Sequence, residues 1–150
     1  MHPTIFPSDS VTTRARKLGL EFSSFEDLLS SSDMLSVNVP LTDETRGMIG
    51  AAEIASMKKG AVLINTARGE VVEVHALAEA ITSGHLRGAA VDVFENEPDI
   101  GGCPLVGLDN VILTPHSSAI SPVNMVRVPP MVMENLDRVY AGEPPVRVVN

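Results

Sequence analysis

Residues 61–93 read AVLINTARGEVVEVHALAEAITSGHLRGAAVDV, and this stretch decides the fold. Compact apolar runs at Ala61–Ile64 and Gly88–Val93 are typical of buried strands. The segment Val74–Ser83 between them carries apolar residues at helical spacing and then meets Gly84, which favours a helix end. Its apolar stripe consists of Val74, Leu77, Ala78 and Ile81. A strand, a helix and a strand in this order predict a βαβ unit, and therefore a parallel sheet.

The same alternation continues on both sides of this unit. Further strands are predicted at Met34–Val39 and Val111–Leu113, with shorter ones at Thr4–Phe6 and Glu21–Phe22. Helices are predicted at Ser24–Ser31, Ala51–Lys59 and Pro122–Tyr140. Pro129 and Pro130 are expected to kink the last helix or to delay its start. The predicted fold is α/β, with a doubly wound and largely parallel sheet.

Composition excludes several classes of protein. The chain has 150 residues, of which 44% are hydrophobic and 20% charged, so it makes one domain or part of one and is able to bury a core. Its net charge of −8 repels nucleic-acid phosphates and anionic lipids. Cys103 is the single cysteine, and neither a zinc-binding Cys/His cluster, a membrane-length apolar run nor a secretory signal is visible. These features predict a globular cytoplasmic protein without a metal, nucleic-acid or membrane partner.

Polar groups follow three of the predicted strands. Arg68 comes after AVLINTA, the acids Asp92 to Glu97 come after GAAV, and His116 comes after VILTP. The carboxyl ends of parallel strands share one edge of a sheet, and ligands bind at that edge in such folds. Taken singly, each of these residues is more often a solvated charge or a satisfied histidine than a site residue. Their convergence on one edge makes them candidates for a common site.

Together these residues have a consistent chemistry. A carboxylate that is hydrogen-bonded to an imidazole fixes its tautomer and leaves the other ring nitrogen to exchange a proton. A nearby guanidinium can hold an anionic substrate through two hydrogen bonds. Without metal ligands or a nucleophilic serine or cysteine, this set suits a redox step on a small hydroxy or keto acid. Such a step needs a cofactor, because side chains do not accept hydride.

Four long motifs occur in order along the chain. They read LSVNVPLTDETRGMIG (35–50), MKKGAVLINTARGEVV (57–72), LAEAITSGHLRGAAVDVFENEP (77–98) and LDNVILTPHSSA (108–119). With these motifs the chain resembles the D-isomer-specific 2-hydroxyacid dehydrogenase family over about residues 21–145. The resemblance implies a Rossmann-like, doubly wound parallel sheet.

The resemblance also implies a role for each candidate residue. Arg68 would bind the substrate carboxylate and carbonyl, His116 would be the general acid/base, and Glu97 would pair with His116. Asp92 matches an aspartate on the nicotinamide side of the cofactor. The positions that match a cofactor site for NAD, with NADP as the alternative, are Val39, Pro40, Thr45, Thr66, Ala67, Arg68, Asp92, His116, Ser117, Ser118 and Ala119.

Asp9 is one further cofactor candidate. It stands where the family has a second-strand acid that contacts the adenosine ribose, and its alternative role is to cap the following helix. Arg14 or Arg16 would instead favour a 2′-phosphate. The sequence therefore leaves NAD and NADP both open.

The sequence departs from the family pattern in two ways. None of its 11 glycines forms the GxGxxG turn that cradles the pyrophosphate, and the separate substrate-binding domain is absent. By the resemblance, residues 1–150 form an incomplete NAD(P)-binding domain, truncated at its N-terminal βαβ unit. Such a sheet is expected to expose a strand edge and an apolar face. We therefore expect self-association, most simply as a homodimer.

The function implied by the resemblance is that of an NAD(P)-dependent oxidoreductase. It would move hydride between a nicotinamide and a small 2-hydroxy or 2-keto acid. Two alternatives stay open: a non-catalytic remnant or module that binds a nucleotide or a partner, and a fragment of a longer enzyme. The sequence does not name the acid, because the residues that normally choose it lie in the missing domain.

Overall fold

Within residues 17–146, four parallel strands form a sheet whose spatial order equals their order along the chain. The computed structural model describes residues 17–146 and gives the strands as β1 (Met34–Val37), β2 (Val62–Asn65), β3 (Gly88–Val91) and β4 (Val111–Leu113). All three pairings are parallel, and one register row joins Leu35, Leu63, Ala89 and Val111. Because every pairing is parallel, the carboxyl ends of the strands share one edge of the sheet.

Helical segments connect the strands, and a long helix follows them. They are α1 (Phe25–Ser31), α2 (Ala51–Ser56), a short 3-10 helix (Gly69–Val71), α3 (Val74–Thr82) and α4 (Pro122–Tyr140). The Ser24 hydroxyl caps α1 by accepting the Asp27 amide proton, at 3.1 Å from oxygen to nitrogen. Within residues 17–146, no helix is both long and apolar enough to cross a bilayer.

The chain divides into two units. The first ends at Pro115 and contains the sheet, α1, α2 and α3, whereas the second begins at His116 and contains α4. The core of the first unit packs helix side chains against one face of the sheet. Its most deeply buried apolar residues are Ile54, Leu63, Val71, Leu77, Leu86, Val93 and Leu105.

The two faces of the sheet differ in burial. Side chains alternate across a strand, and in β1 the residues Leu35 and Val37 are buried while Met34 and Ser36 are exposed. Met34 in β1 and Ile112 in β4 are 60% and 66% exposed. Complete cover of both faces, which continuous apolar runs would favour, is therefore not present in the part of the chain that the structure describes.

Most predicted elements agree with the structure to within two residues. The strand predicted at Glu21–Phe22 is wrong, because these residues adopt no regular secondary structure. The one predicted at Thr4–Phe6 lies outside the described residues. Helix α2 ends at Ser56 rather than Lys59, since Met57 turns to an extended conformation and buries its side chain in the core.

The expected delay of the last helix is also wrong. Helix α4 begins at Pro122 and continues through Pro129 and Pro130 to Tyr140. Pro122 is suited to the first turn, where the Ser121 hydroxyl accepts the Asn124 amide proton at 3.2 Å. The interior prolines are tolerated because no residue of α4 is buried, so solvent can bond to the carbonyls that they leave unpaired.

Candidate active site

Buried polar side chains collect at the carboxyl edge of the sheet. In the described residues, the buried polar or charged positions are Thr45, Asn65 and Asp92, with exposures of 6%, 2% and 3%. Asn65 is the last residue of β2, and Asp92 directly follows β3. Because burying a polar group is costly unless it is hydrogen-bonded, this edge is built around specific polar contacts.

The turn that carries Arg68 is held by the side chain of Asn65. The Asn65 side-chain oxygen accepts the Ala67 amide proton, and its amino group donates to the Arg68 carbonyl, both at 3.0 Å. The Arg68 side chain is exposed and donates from Nη1 to the Ala67 carbonyl at 2.6 Å. The backbone of Arg68 is therefore held in place, and its guanidinium group is accessible to solvent.

An open crevice lies beside this turn. It has a volume of about 570 Å³ and is lined by residues 38–41, which follow β1, and by residues 66–68, which follow β2. Thr45 stabilises the first wall, since its hydroxyl donates to the Pro40 carbonyl at 2.6 Å and accepts the Thr42 amide proton at 2.8 Å. Nearby, a hydrogen bond from the Thr42 side chain lowers the pKa of the exposed Glu44 carboxyl.

The loop that follows β3 is fixed from several directions. The Asp92 amide donates to the Asn65 carbonyl at 3.0 Å, and the Thr114 hydroxyl donates to the Asp92 carboxylate at 2.5 Å. The exposed Glu97 accepts the Phe94 amide proton on Oε1 at 2.8 Å. These bonds restrict the orientation of both carboxylates.

Gly69 packs directly on the backbone of this loop. A Cβ atom at position 69 would lie 2.3 Å from the Phe94 carbonyl carbon and 2.4 Å from the Glu95 nitrogen. Only glycine permits this approach without moving backbone atoms. The turn that carries Arg68 and the loop that carries Glu97 are therefore packed against each other.

His116 is the first residue of the second unit. Its φ of 50° lies in the left-handed region, which is sparsely populated for residues other than glycine and is common at functional sites. Ser117, Ser118 and Ala119 follow it, and the Ala119 carbonyl accepts a proton from the Asn124 side chain at 2.7 Å. The pairing of Glu97 with His116 stays a prediction.

The remaining candidates fall into clear groups. Val39, Pro40, Thr66, Ala67 and Arg68 line the crevice. Thr45 is buried behind its wall, and the Asp92 backbone bonds to the neighbouring strand end at Asn65. Asp9, Arg14 and Arg16 lie outside the described residues. Groups of three or more His, Cys, Asp or Glu that could hold a metal ion are not found in residues 17–146.

Sequence reasoning missed Asn65 and Gly69 as site residues. The signal was present, because Asn65 is a polar residue at the end of the apolar run AVLI. The structure also places a cavity of about 150 Å³ against the long loop at Glu95–Leu108, and loops of this length are more often functional than idle. Asn65 and Gly69 line this cavity together with Phe94, Cys103 and Leu105, whereas Arg68 does not.

Comparison with known proteins identifies the relatives of this chain. Residues 4–118 match the family model described as D-isomer specific 2-hydroxyacid dehydrogenase, NAD binding domain. The chain is 44% identical over 135 residues to a glyoxylate reductase from Aeropyrum pernix, which is 90% of this chain and 40% of that protein.

Solved structures share the architecture. The TT0316 protein from Thermus thermophilus superposes with a TM-score of 0.80 at 36% identity, over 94% of this chain and 50% of that one. A D-isomer specific 2-hydroxyacid dehydrogenase from Xanthobacter autotrophicus Py2, solved with NADPH and MES, gives a TM-score of 0.70 at 42% identity, over 84% and 51%. The fold is therefore Rossmann-like, and the chain spans about half the length of these structures.

Proposed function

The chain belongs to the D-isomer specific 2-hydroxyacid dehydrogenase family, and from this premise we propose that it transfers hydride between a nicotinamide cofactor and a small 2-hydroxy or 2-keto acid. The observation that carries the proposal is the exposed Arg68 guanidinium, which stands beside an open crevice at the carboxyl edge of the sheet. An arginine is always charged and matches a carboxylate with two parallel hydrogen bonds. Since the chain covers 40% of the glyoxylate reductase, substrate and turnover are proposals for this chain.

The residues of the crevice fit the nicotinamide end of an NAD(P) cofactor. Its volume of about 570 Å³ is in the usual range for small-molecule sites, and it lies where parallel sheets bind ligands. When bound, the cofactor supplies the hydride acceptor or donor that side chains lack. Val39, Pro40, Thr45, Thr66 and Ala67 would shape this end, and Asp92 would face it. Ser117, Ser118 and Ala119 are further residues that we propose for cofactor binding.

The choice between NAD and NADP is assigned to three residues near the N-terminus. We propose NAD as the cofactor, with NADP as the alternative. Asp9 would select NAD by bonding to the ribose hydroxyls, whereas Arg14 or Arg16 would select NADP. Titration of the chain with NADH and NADPH, followed by nucleotide fluorescence, separates the two.

The proposed acid/base group is His116. During reduction its imidazole would give a proton to the substrate oxygen, and during oxidation it would take that proton back. Glu97 would hold the imidazole in the correct tautomer, and its bond from the Phe94 amide would keep the carboxylate oriented. Arg68 would fix the substrate carboxylate and polarise the carbonyl.

Reduction of glyoxylate, hydroxypyruvate and pyruvate with NADH or NADPH tests this proposal. Arg68→Ala and His116→Ala are expected to lower the rate by roughly 10² to 10⁴-fold, as is usual for removal of a catalytic proton donor or anion clamp. Arg87→Ala and His75→Ala are the matched controls, since both residues are exposed and outside the proposed machinery. Unchanged rates in the first two variants would overturn the mechanism. Cofactor binding without turnover would favour a nucleotide-binding module.

We also propose that the chain associates with a second copy of itself. Helix α4 exposes large apolar side chains along its whole length, and such surfaces are typical of interfaces. They are Val123, Met125, Val126, Val128, Val132, Met133, Leu136, Val139 and Tyr140. Light scattering is expected to give a dimer mass, and a monomer at all concentrations would contradict this proposal.

A cytoplasmic location is a further proposal. Cys103 is a free thiol and the single cysteine of the chain, which suits a reducing compartment. Cell fractionation of a tagged chain tests it, and recovery outside the cytoplasmic fraction would contradict it.

A further inference from the structure

Asn65 occupies a position where its strand otherwise carries apolar residues. Val62, Leu63 and Ile64 precede it in β2, and Asn65 itself is 2% exposed. Burial of an amide without partners would strongly destabilise the fold. A polar residue at this strand end therefore needs a specific set of hydrogen bonds.

The side-chain oxygen and nitrogen of Asn65 both form hydrogen bonds with the turn that follows β2. Its oxygen accepts the Ala67 amide proton at 3.0 Å, and its nitrogen donates to the Arg68 carbonyl at 3.0 Å. Aspartate would keep the first bond and lose the donor of the second, whereas leucine would lose both. Asparagine is thus the residue that ties the turn at two points.

Other contacts complete the support of the same turn. The Arg68 carbonyl also accepts the Val71 amide proton at 3.3 Å, and Gly69 packs against the backbone of Phe94. The Asn65 main-chain carbonyl accepts the Asp92 amide proton at 3.0 Å. One residue therefore contacts both the turn that carries the anion clamp and the loop that carries the acids.

From these contacts we propose that Asn65 is a positioning residue for anion binding. It holds the backbone of Arg68 so that the guanidinium faces the crevice in one orientation, and this lowers the cost of ordering a long side chain on binding. The inference rests on the proposed function, since it assumes that Arg68 binds the carboxylate of the substrate.

The test measures binding of oxamate, an isostere of a small 2-keto acid, to the full chain in the presence of NADH. Nuclear magnetic resonance follows the Arg68 Nε–H signal during the titration. The variants are Asn65→Leu and Asn65→Asp, with Arg68→Gln as the reference for loss of the clamp. Asn110→Leu and Asn110→Asp are matched controls, because the exposed Asn110 also donates to a backbone carbonyl, that of Arg87, at 2.7 Å.

The expected result is selective. Both Asn65 variants should raise the Kd of oxamate by about tenfold or more, because leucine removes both bonds to the turn and aspartate sets a carboxylate oxygen against the Arg68 carbonyl. The Kd of NADH should rise by much less than that of oxamate, because Thr66 and Ala67 make only part of the proposed cofactor site, and the affinity of the Asn110 variants should stay unchanged. General damage to the fold would instead weaken NADH and oxamate together and would overturn the positioning role.

Two further outcomes separate the inference from the proposed function. If Arg68→Gln abolishes oxamate binding while both Asn65 variants bind normally, the inference is wrong and the anion site stands. If Arg68→Gln binds normally, the proposed anion site is wrong and the inference falls with it. In the unsubstituted chain the Ala67 amide proton should exchange slowly with solvent, and rapid exchange would also overturn the inference, whether or not the variants fold.

Discussion

At the carboxyl end of the sheet, the polar side chains of Asn65 and Asp92 are buried, whereas at the amino end Asn110 and the Lys58–Asp33 pair stay exposed. Both ends use side chains to join neighbouring loops. At the amino end, the Asn110 amide donates to the Arg87 carbonyl, and Lys58 Nζ lies 2.6 Å from Asp33 Oδ1. Solvent can replace these contacts if they are lost.

At the carboxyl end, solvent cannot replace the buried contacts if they are lost. A buried group that loses its partner keeps the full cost of leaving water, so each contact there must be made. Comparable loop connections can therefore differ in sensitivity to mutation. The end with the higher sensitivity is also the end where we propose that substrate and cofactor bind.

The largest expected effect comes from two glycines, one at each end. A Cβ at Gly69 would lie 2.3 Å from the Phe94 carbonyl carbon, and a Cβ at Gly88 would lie 2.3 Å from the Asn110 carbonyl oxygen. Gly69→Ala and Gly88→Ala should each lower the free energy of unfolding by about 3 kcal/mol, because backbone must move. Urea denaturation measures this loss.

The two glycine variants should also differ in how well they bind oxamate. At a temperature where both variants remain folded, Gly69→Ala should lose oxamate binding and Gly88→Ala should retain it. Equal loss in both would mean that the two ends are not functionally distinct.

A smaller effect is expected at two aspartates. Asp92→Ala removes the acceptor of the Thr114 hydroxyl and should lower the free energy of unfolding by about 2 kcal/mol. Asp33→Ala removes an exposed partner of Lys58 and should cost less than about 1 kcal/mol. Parallel urea titrations compare them, and a larger cost at Asp33 would break the proposed difference between the ends.

Lys58→Met removes the other partner of the Lys58–Asp33 ion pair at the amino end. Its side chain is 44% exposed, so solvent screens the charge and the loss should be at most about 0.5 kcal/mol. The effect should shrink further in roughly 0.5 M salt, as screening of exposed charges predicts. A loss of unfolding free energy that is large and independent of salt would contradict the interpretation that this ion pair is exposed and screened by solvent.

The smallest effect concerns the exposed Glu44, which lies near the crevice in sequence but does not line it. The Thr42 side chain lowers the pKa of Glu44, so its contribution to stability is present above its ordinary pKa and is lost as pH falls through the lowered value. Glu44→Gln should therefore be slightly less stable than the unsubstituted chain at pH 7 and equal to it in acid. Melting temperatures measured from pH 7 to pH 3 check this sign.

Much of the fold follows from local sequence pattern. The apolar stripe of α3 predicts its helix well, because periodicity and burial agree there, and the run at Val111–Leu113 predicts its strand although none of its residues is buried. The end of α2 was missed since Met57 leaves the helix to fill the core, which is a tertiary effect. The bounds of α4 agree with the prediction, and only the delay expected from Pro129 and Pro130 is wrong, because propensity penalises prolines without regard to their exposure.

The candidate site was only partly predictable. Motif resemblance selected Arg68, Glu97 and His116, since their chemistry is evident from residue type and spacing. Asn65 and Gly69 act through contacts with other segments, and such contacts cannot be read from a single chain segment. Gly69 is required by the backbone of Phe94, a residue that follows a different strand.

The arrangement of the strands bears on how the polypeptide folds during synthesis. Each pairing joins segments separated by a helical connection, as in Met34 with Val62 or Ala89 with Val111, so folding depends on non-local contacts. Because neighbours in space are also successive along the chain, each emerging strand finds its partner already translated. The sheet can thus grow vectorially from β1, and nascent chains stalled after β3 should already protect the β1–β2 pairing from proteases.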